Sequence, residues 1–298
     1  MASSSTLHRS LELAGTLPAL MVAADRVAAT VIQGVHGRRR VGQGDAFWQY
    51  RPYRDGDSAS QIDWRQSARS RHLFVRETEW EAAASVWLWR DASPSMQYAS
   101  LRNADTKAVR AELIALALTS LLADAGERVA VLGSGMRPTS GRIAVRRIAE
   151  TLFDETHKAS RALPSLPPLL PLPAHGTVVL VSDWLDPLDR IEQVVRHYAS
   201  GGVRGHLVQV LDPAEEDLPF DGHVKFEGLE AEGQHTIRRV EAVRSAYGAR
   251  LAAQKEGLQR LTSATDWTVH LHRTDKPPQM VLLSLYLSMA DLRRLNAA

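Results

Sequence analysis

From Ser85 onward, short apolar or β-branched runs alternate with longer stretches in which apolar positions recur every three or four residues. The runs Val86–Trp89, Arg128–Leu132, Thr177–Ser182, Gly205–Leu211 and Trp267–His272 predict buried strands. The periodic stretches predict helices at about 106–125, 143–153, 187–200, 236–261 and 279–295. Strand and helix taking turns in this way imply an α/β fold with a doubly wound, mostly parallel sheet. The proline-rich stretch 160–175 is a helix-to-strand connection.

Ahead of this alternation the pattern changes. Apolar positions between Leu11 and Val35 follow a helical period that Gly34 ends, and the basic, glycine-rich segment Gly37–Asp45, with Arg38, Arg39 and Arg40, reads as a solvated loop. Asp55-Gly56 is a turn pair that Asp57 can close, Ile62 and Trp64 are expected anchors, Asp63 is expected to pair with nearby arginines, and Leu73–Val75 is a short strand. The chain is thus expected to divide into an N-terminal helical and loop extension with short strands over 1–82, and an α/β domain over 83–298.

Composition narrows the partners. The 298 residues carry a net charge of +2, and the 31 arginines and five lysines are spread along the chain, so no nucleic-acid partner is expected. Without cysteine there are no disulfides, thiolate metal sites or cysteine nucleophile. Asp25-Arg26 and Gln33 interrupt the most apolar early segment, so no membrane span is expected. No signal peptide is evident, and a cytoplasmic location is the default expectation.

The candidate chemistry lies where the first and third of these runs end. In an open α/β sheet, ligands bind at the carboxyl ends of strands beside the switch point. Asp91 follows the first run and Asp183 the third, so the two are expected to meet there, joined by Ser93 and Ser95 from the turn. Two carboxylates and two hydroxyls are hard donors suited to Mg2+ or Mn2+, and a partner's Asp or Glu would complete the shell. A helix following Ser95 would aim its positive end at the same crevice.

Asp91-Ala-Ser93-Pro-Ser95 followed by a helix resembles the metal-ion-dependent adhesion site of von Willebrand factor A domains, and Ser182-Asp183 resembles that site's later aspartate. More closely, Tyr53-Arg-Asp-Gly56-Asp57, Ile62-Asp63-Trp64 and Ser67-Ala68-Arg69, ahead of Asp91–Met96 and followed by His272-Arg-Thr-Asp275, resemble the bacterial domain-of-unknown-function 58 family over roughly residues 30–295. The resemblance implies a von Willebrand factor A-like fold and a non-enzymatic adaptor that works with a MoxR-type AAA+ ATPase on a client protein. It also implies a further metal ligand from a loop between the two aspartates, for which Thr139, or its neighbour Ser140, is the candidate. Arg90 stands where an apolar residue is usual, placed to pair with Asp91 and compete with metal.

The alternative is a magnesium-dependent phosphoester hydrolase with Asp91 as nucleophile. Phosphatases of the haloacid-dehalogenase type need a second acid two residues on, where this chain has Ser93. Gly133-Ser-Gly135 follows a strand, but Pro138 takes the third glycine position of a dinucleotide fingerprint. His270 and His272 share one side of a strand without a third ligand in view and are assigned a structural role.

Overall fold

The computed structural model describes residues 19–32, 47–53, 62–70, 72–78, 85–102, 104–158, 164–229 and 233–296. The chain divides into two compact units, residues 1–38 with 84–298, and residues 39–83. This grouping differs from a single cut at residue 82, because the helix over 19–32 (α1) puts Ala24, Val27, Ala28 and Val31 into the core of the larger unit. Asp25, which interrupts its apolar stripe, accepts a hydrogen bond from Ser120 Oγ at 2.7 Å.

In the smaller unit, β1 (Phe47–Pro52) pairs antiparallel with β2 (Phe74–Thr78). The short helix α2 (Trp64–Ser67) is capped by the Asp63 carboxylate, which accepts from the Gln66 amide at 2.9 Å. Ser67 Oγ accepts from the Phe74 amide at 2.9 Å and ties this turn to β2. Ile62 is buried as expected, whereas Trp64 is 65% exposed and is not an anchor. The Arg38–Arg40 loop and the Asp55-Gly56-Asp57 turn lie outside the described residues.

The larger unit is built on five strands: β3 (Ser85–Arg90), β4 (Arg128–Val131), β5 (Thr177–Ser182), β6 (Arg204–Leu211) and β9 (Thr268–Arg273). They lie in the order β4-β3-β5-β6-β9, and every pairing is parallel. Alternate residues of a strand face opposite sides. Val86, Leu88, Val179, Val181, Val208 and Val210 therefore join one core with α1, α3 (Lys107–Asp124), α4 (Gly141–Lys158) and α8 (Pro278–Asn296). Trp87, Trp89, Val178, Leu180 and Leu207 join the other with α5 (Leu188–Ser200) and α7 (Glu241–Ser263). Helices on both faces explain why Val86–Trp89 of β3 and Val178–Val181 of β5 are unbroken apolar runs. Helix α3 is apolar nearly all round because it shares its core with α1, α4 and α8 as well as with the sheet.

The connection from β6 to β9 is longer than the periodicity suggests. It contains a one-turn helix α6 (Pro213–Asp217) and an antiparallel hairpin of β7 (Val224–Glu227) and β8 (Gln234–Ile237). Thr236 and Ile237, expected to open a helix, pair with Lys225 and Val224 instead, and α7 starts at Glu241.

His270 and His272 are both buried in β9. Thr268 Oγ1 lies 2.8 Å from His270 Nε2 and Ser284 Oγ lies 3.0 Å from its Nδ1. Burial pulls both imidazoles down to about 4, so they are neutral at ordinary pH.

Gly205 on β6 sits under the indole of Trp267, whose Nε1 donates to Val203 O at 3.1 Å. A Cβ at Gly205 would fall 2.0 Å from the indole ring. Gly205→Ala is therefore expected to destabilise the fold by about 3 kcal/mol, read as a lower urea midpoint at an unchanged slope.

Candidate functional site

Strand β3 ends at Arg90, and the Asp91 amide continues the ladder by donating to Val181 O of β5 at 2.8 Å. The first strand is flanked by the second on one side and the third on the other, so β3 and β5 frame the switch point of the sheet. Asp91 and Asp183 meet there. Asp91 is wholly buried, with Oδ1 accepting from the Ser93 amide at 2.7 Å and Oδ2 from Ser182 Oγ at 2.8 Å. Ser93 Oγ lies 3.1 Å from Ser95 Oγ, and Ser95 Oγ donates to Asp183 Oδ2 at 3.0 Å. Four of the five expected site residues are thus joined in one network.

The backbone after Asp183 is bent to make this possible. Trp184 has a φ of 52°, left-handed for a residue with a large side chain. Its wholly buried indole fixes the bend, with Nε1 donating to Val208 O at 3.1 Å. Such a conformation costs about 1–3 kcal/mol and persists only where packing enforces it. Gln209 Nε2 donates to the Asp183 carbonyl at 2.8 Å, a second restraint on the turn.

A cation not anticipated from the sequence completes this site. A 3-10 turn spans Pro94–Gln97, and the helix expected from about residue 106, α3, begins at Lys107 behind a Thr106 cap. Lys107 is wholly buried, and its Nζ donates to Asp183 Oδ2 at 2.9 Å and to Glu215 Oε1 at 2.5 Å. Burial alone would depress this ammonium, but Asp183 and Glu215 outweigh it and raise its pKa above the ordinary lysine value. Glu215 belongs to a capping box on α6, its Oε2 accepting from the Asp212 amide at 2.8 Å. Burial pushes the Glu215 carboxyl up by more than Lys107 and that amide pull it down. The one local signal is a lysine, scarce in this chain, in the first turn of a helix where the dipole disfavours a cation.

Two expectations fail. Thr139 lies on the outer edge of β4, bridged to Val129 near the start of that strand, away from the carboxyl ends where Asp91 and Asp183 meet. Its neighbour Ser140 follows that bridge into α4 and is likewise not among the site's hydrogen-bonded residues. Arg90 turns away from Asp91: its Nη2 donates to Leu152 O at 2.6 Å and lies 3.1 Å from Glu112 Oε1. Strand alternation explains this, since neighbouring residues point to opposite faces.

Burial lifts the Asp91 carboxyl to about 6, assisted by the charge of Asp183 and opposed by the hydrogen bonds from Ser93 and Ser182. The donors suit a hard divalent ion in kind. Asp183 is already paired with the Lys107 ammonium, however, so an incoming ion would share that carboxylate or displace the lysine. No group of three or more His, Asp or Glu side chains able to hold a metal occurs among the described residues.

A cleft of about 860 Å³ opens beside Asp183 and Ser95. Its walls come from the turn after β5, from α6, from the β7–β8 hairpin and from α7. Toward the end of the sequence, the His272–Asp275 motif ties β9 to α6, with Arg273 Nη2 donating to Asp217 Oδ2 at 2.6 Å and its Nε to Asp275 Oδ1 at 3.0 Å.

Uncharacterized proteins of Mycobacterium bovis and Mycobacterium tuberculosis are 24% identical to this chain over 281 residues, covering 89% of it and 86% of each relative. A solved structure, of an aerotolerance-related membrane protein from Bacteroides fragilis carrying multiple mutations to serine, aligns with 70% of this chain and 100% of that one, at 15% identity and a TM-score of 0.40. Set against that membrane protein, the expected cytoplasmic location does not stand, and it is withdrawn. Among the described residues no helix is long and apolar enough to cross a membrane. The family model for "Protein of unknown function DUF58" matches residues 49–257, a span that takes in the Asp63 turn, both strands of the crevice and Lys107, and the chain belongs to that family.

Proposed function

We propose that the chain is a non-enzymatic protein-interaction module of the von Willebrand factor A type, acting as an adaptor between a MoxR-type AAA+ ATPase and a client protein. The observation that carries this reading is the assembly of Asp91, Ser93, Ser95 and Asp183 at the switch point, next to an open cleft. The ATPase enters through the family resemblance. In the metal-assisted form of this reading, Mg2+ or Mn2+ is held by Asp91, Ser93, Ser95 and Asp183, and a client's Asp or Glu completes its shell. Thr139 has no part in that set. A bound ion would supply a positive charge for the client's carboxylate to meet.

The hydrolase alternative is weaker. Asp91 is wholly buried and both its oxygens already accept hydrogen bonds, so it is not poised for attack on a phosphorus atom. No general acid two residues on accompanies it, since Ser93 stands there.

Titration calorimetry of the full chain with magnesium and with manganese tests the metal mode. Binding that disappears in Asp91→Ala is expected; no heat in the wild type would sink the metal mode. Failure of the wild type to retain a purified MoxR-type ATPase in a pull-down would sink the adaptor reading itself. Lys107→Met leaves Asp183 and Glu215 buried without their cation, at a cost of about 3–5 kcal/mol, so its melting temperature should fall by several degrees. Magnesium should restore part of that loss in Lys107→Met and none in the double variant with Asp183→Asn.

The metal-free site also has a pH signature. The Asp91 carboxyl stands at about 6 in the fold against 3.8 unfolded, so its favourable contribution is complete below 3.8 and is lost as pH rises through 6. Asp91→Asn, which stays neutral, should be more stable than the wild type by about 3 kcal/mol at pH 8, converging toward it near pH 4. Calorimetric melts in EDTA across that range check the sign.

A further inference from the structure

The cleft beside Asp183 is large enough for a ligand, since binding pockets run to roughly 300–1,000 Å³, and it measures about 860 Å³. It has two chemically different ends. Phe220, Phe226, Ile237 and Tyr247 form an apolar wall, with Leu185 43% and Leu229 47% exposed along it. Solvent-facing leucines beside aromatic rings mark a surface that gains from being covered.

The inner end is acidic. Asp183 and Glu215 line it, with Asp91 and Asp212 behind them, and among the described residues Lys107 is the one cation bonded within this group of four carboxylates. At the mouth, Asp186 is answered by Arg190 at 3.2 Å, while Glu227 and Arg250 stand on opposite walls. The tyrosines that face the inner end register its sign. After burial, the charges of Asp212 and Glu215 raise the Tyr98 hydroxyl, and the charge of Glu215 raises that of Tyr247. An anionic guest would meet this field unfavourably, and a cationic one favourably.

We propose that this cleft is a docking site for a partner protein's segment that carries a lysine or arginine next to apolar residues, the cation lying toward Glu215 and Asp183 and the apolar side chains against Phe226, Leu229 and Tyr247. The inference rests on the reading of the chain as an interaction module and is independent of a bound metal. It differs from the metal mode in the sign of the partner residue: a basic side chain enters directly, whereas an acidic one needs the ion.

Panning a phage-displayed library of random twelve-residue peptides against the immobilised full chain in EDTA tests the proposal. Selected peptides should be enriched in Lys or Arg flanked by apolar residues. Their synthetic forms should bind at least tenfold more weakly to Leu229→Arg, which alters an exposed position on the wall, and to Glu215→Gln, and binding should weaken as salt is raised. Leu185→Ser, also at an exposed position, serves as a second wall variant should Glu215→Gln fold poorly. The proposal is overturned by selection of acidic peptides that bind only with magnesium, which leaves the interaction-module reading intact, or by peptides whose affinity neither wall variant changes. Recovery of no binding peptide would also overturn it, while the ATPase pull-down separately decides the adaptor role.

Discussion

The functional end of this protein depends on one ammonium group. Lys107, at the first position of α3, bridges Asp183 after β5 and Glu215 in α6, and so joins three elements that are distant in sequence. Two carboxylates cannot be drawn into a buried crevice without a cation, since desolvating each charge costs several kcal/mol. With the lysine present, Asp183 can turn inward and share Oδ2 with Ser95, which in turn lies against Ser93. The same contact anchors α6 and with it the start of the β7–β8 insertion.

The crevice is also where local rules are broken together. A cation opens a helix against its dipole, a tryptophan takes a left-handed conformation, and a carboxylate is wholly buried. Natural folds concentrate such conflicts at functional sites and compensate for them nearby. Here the compensations are specific: two carboxylates for the lysine, a buried indole for the Trp184 bend, and two donated hydrogen bonds for Asp91.

The sheet is legible in the sequence because strands covered on both faces carry apolar residues on both, as Val86–Trp89 of β3 and Val178–Val181 of β5 do; β6 is mixed, with His206 and Gln209 buried among its valines and leucines. Asp91 and Asp183 were legible for the same reason, as the first polar acids beyond such runs. Lys107 and Glu215 were not. Each looks like an ordinary charged residue near a helix start, and only the topology brings them within 2.5 Å. The reach of Arg90 was misjudged because adjacency in sequence at a strand end is opposition in space. Thr139 misses the site because the segment between β4 and α4 folds back along the outer edge of β4 before the helix begins. Trp64 is expected beside Ile62 as an anchor, yet the capped turn that carries it leaves the ring in solvent.

The β7–β8 hairpin satisfies its ladder within itself: among the described residues its pairings join Val224–Glu227 to Gln234–Ile237, and none reaches the five-stranded sheet. Its inward positions shape the cleft without setting the register of any core strand. Sequence in this insertion can therefore drift, lengthen or be exchanged between relatives at little cost to folding. The framework of strands and buried charges acts as a constant chassis, and the hairpin is the part through which the shape of the cleft can be retuned.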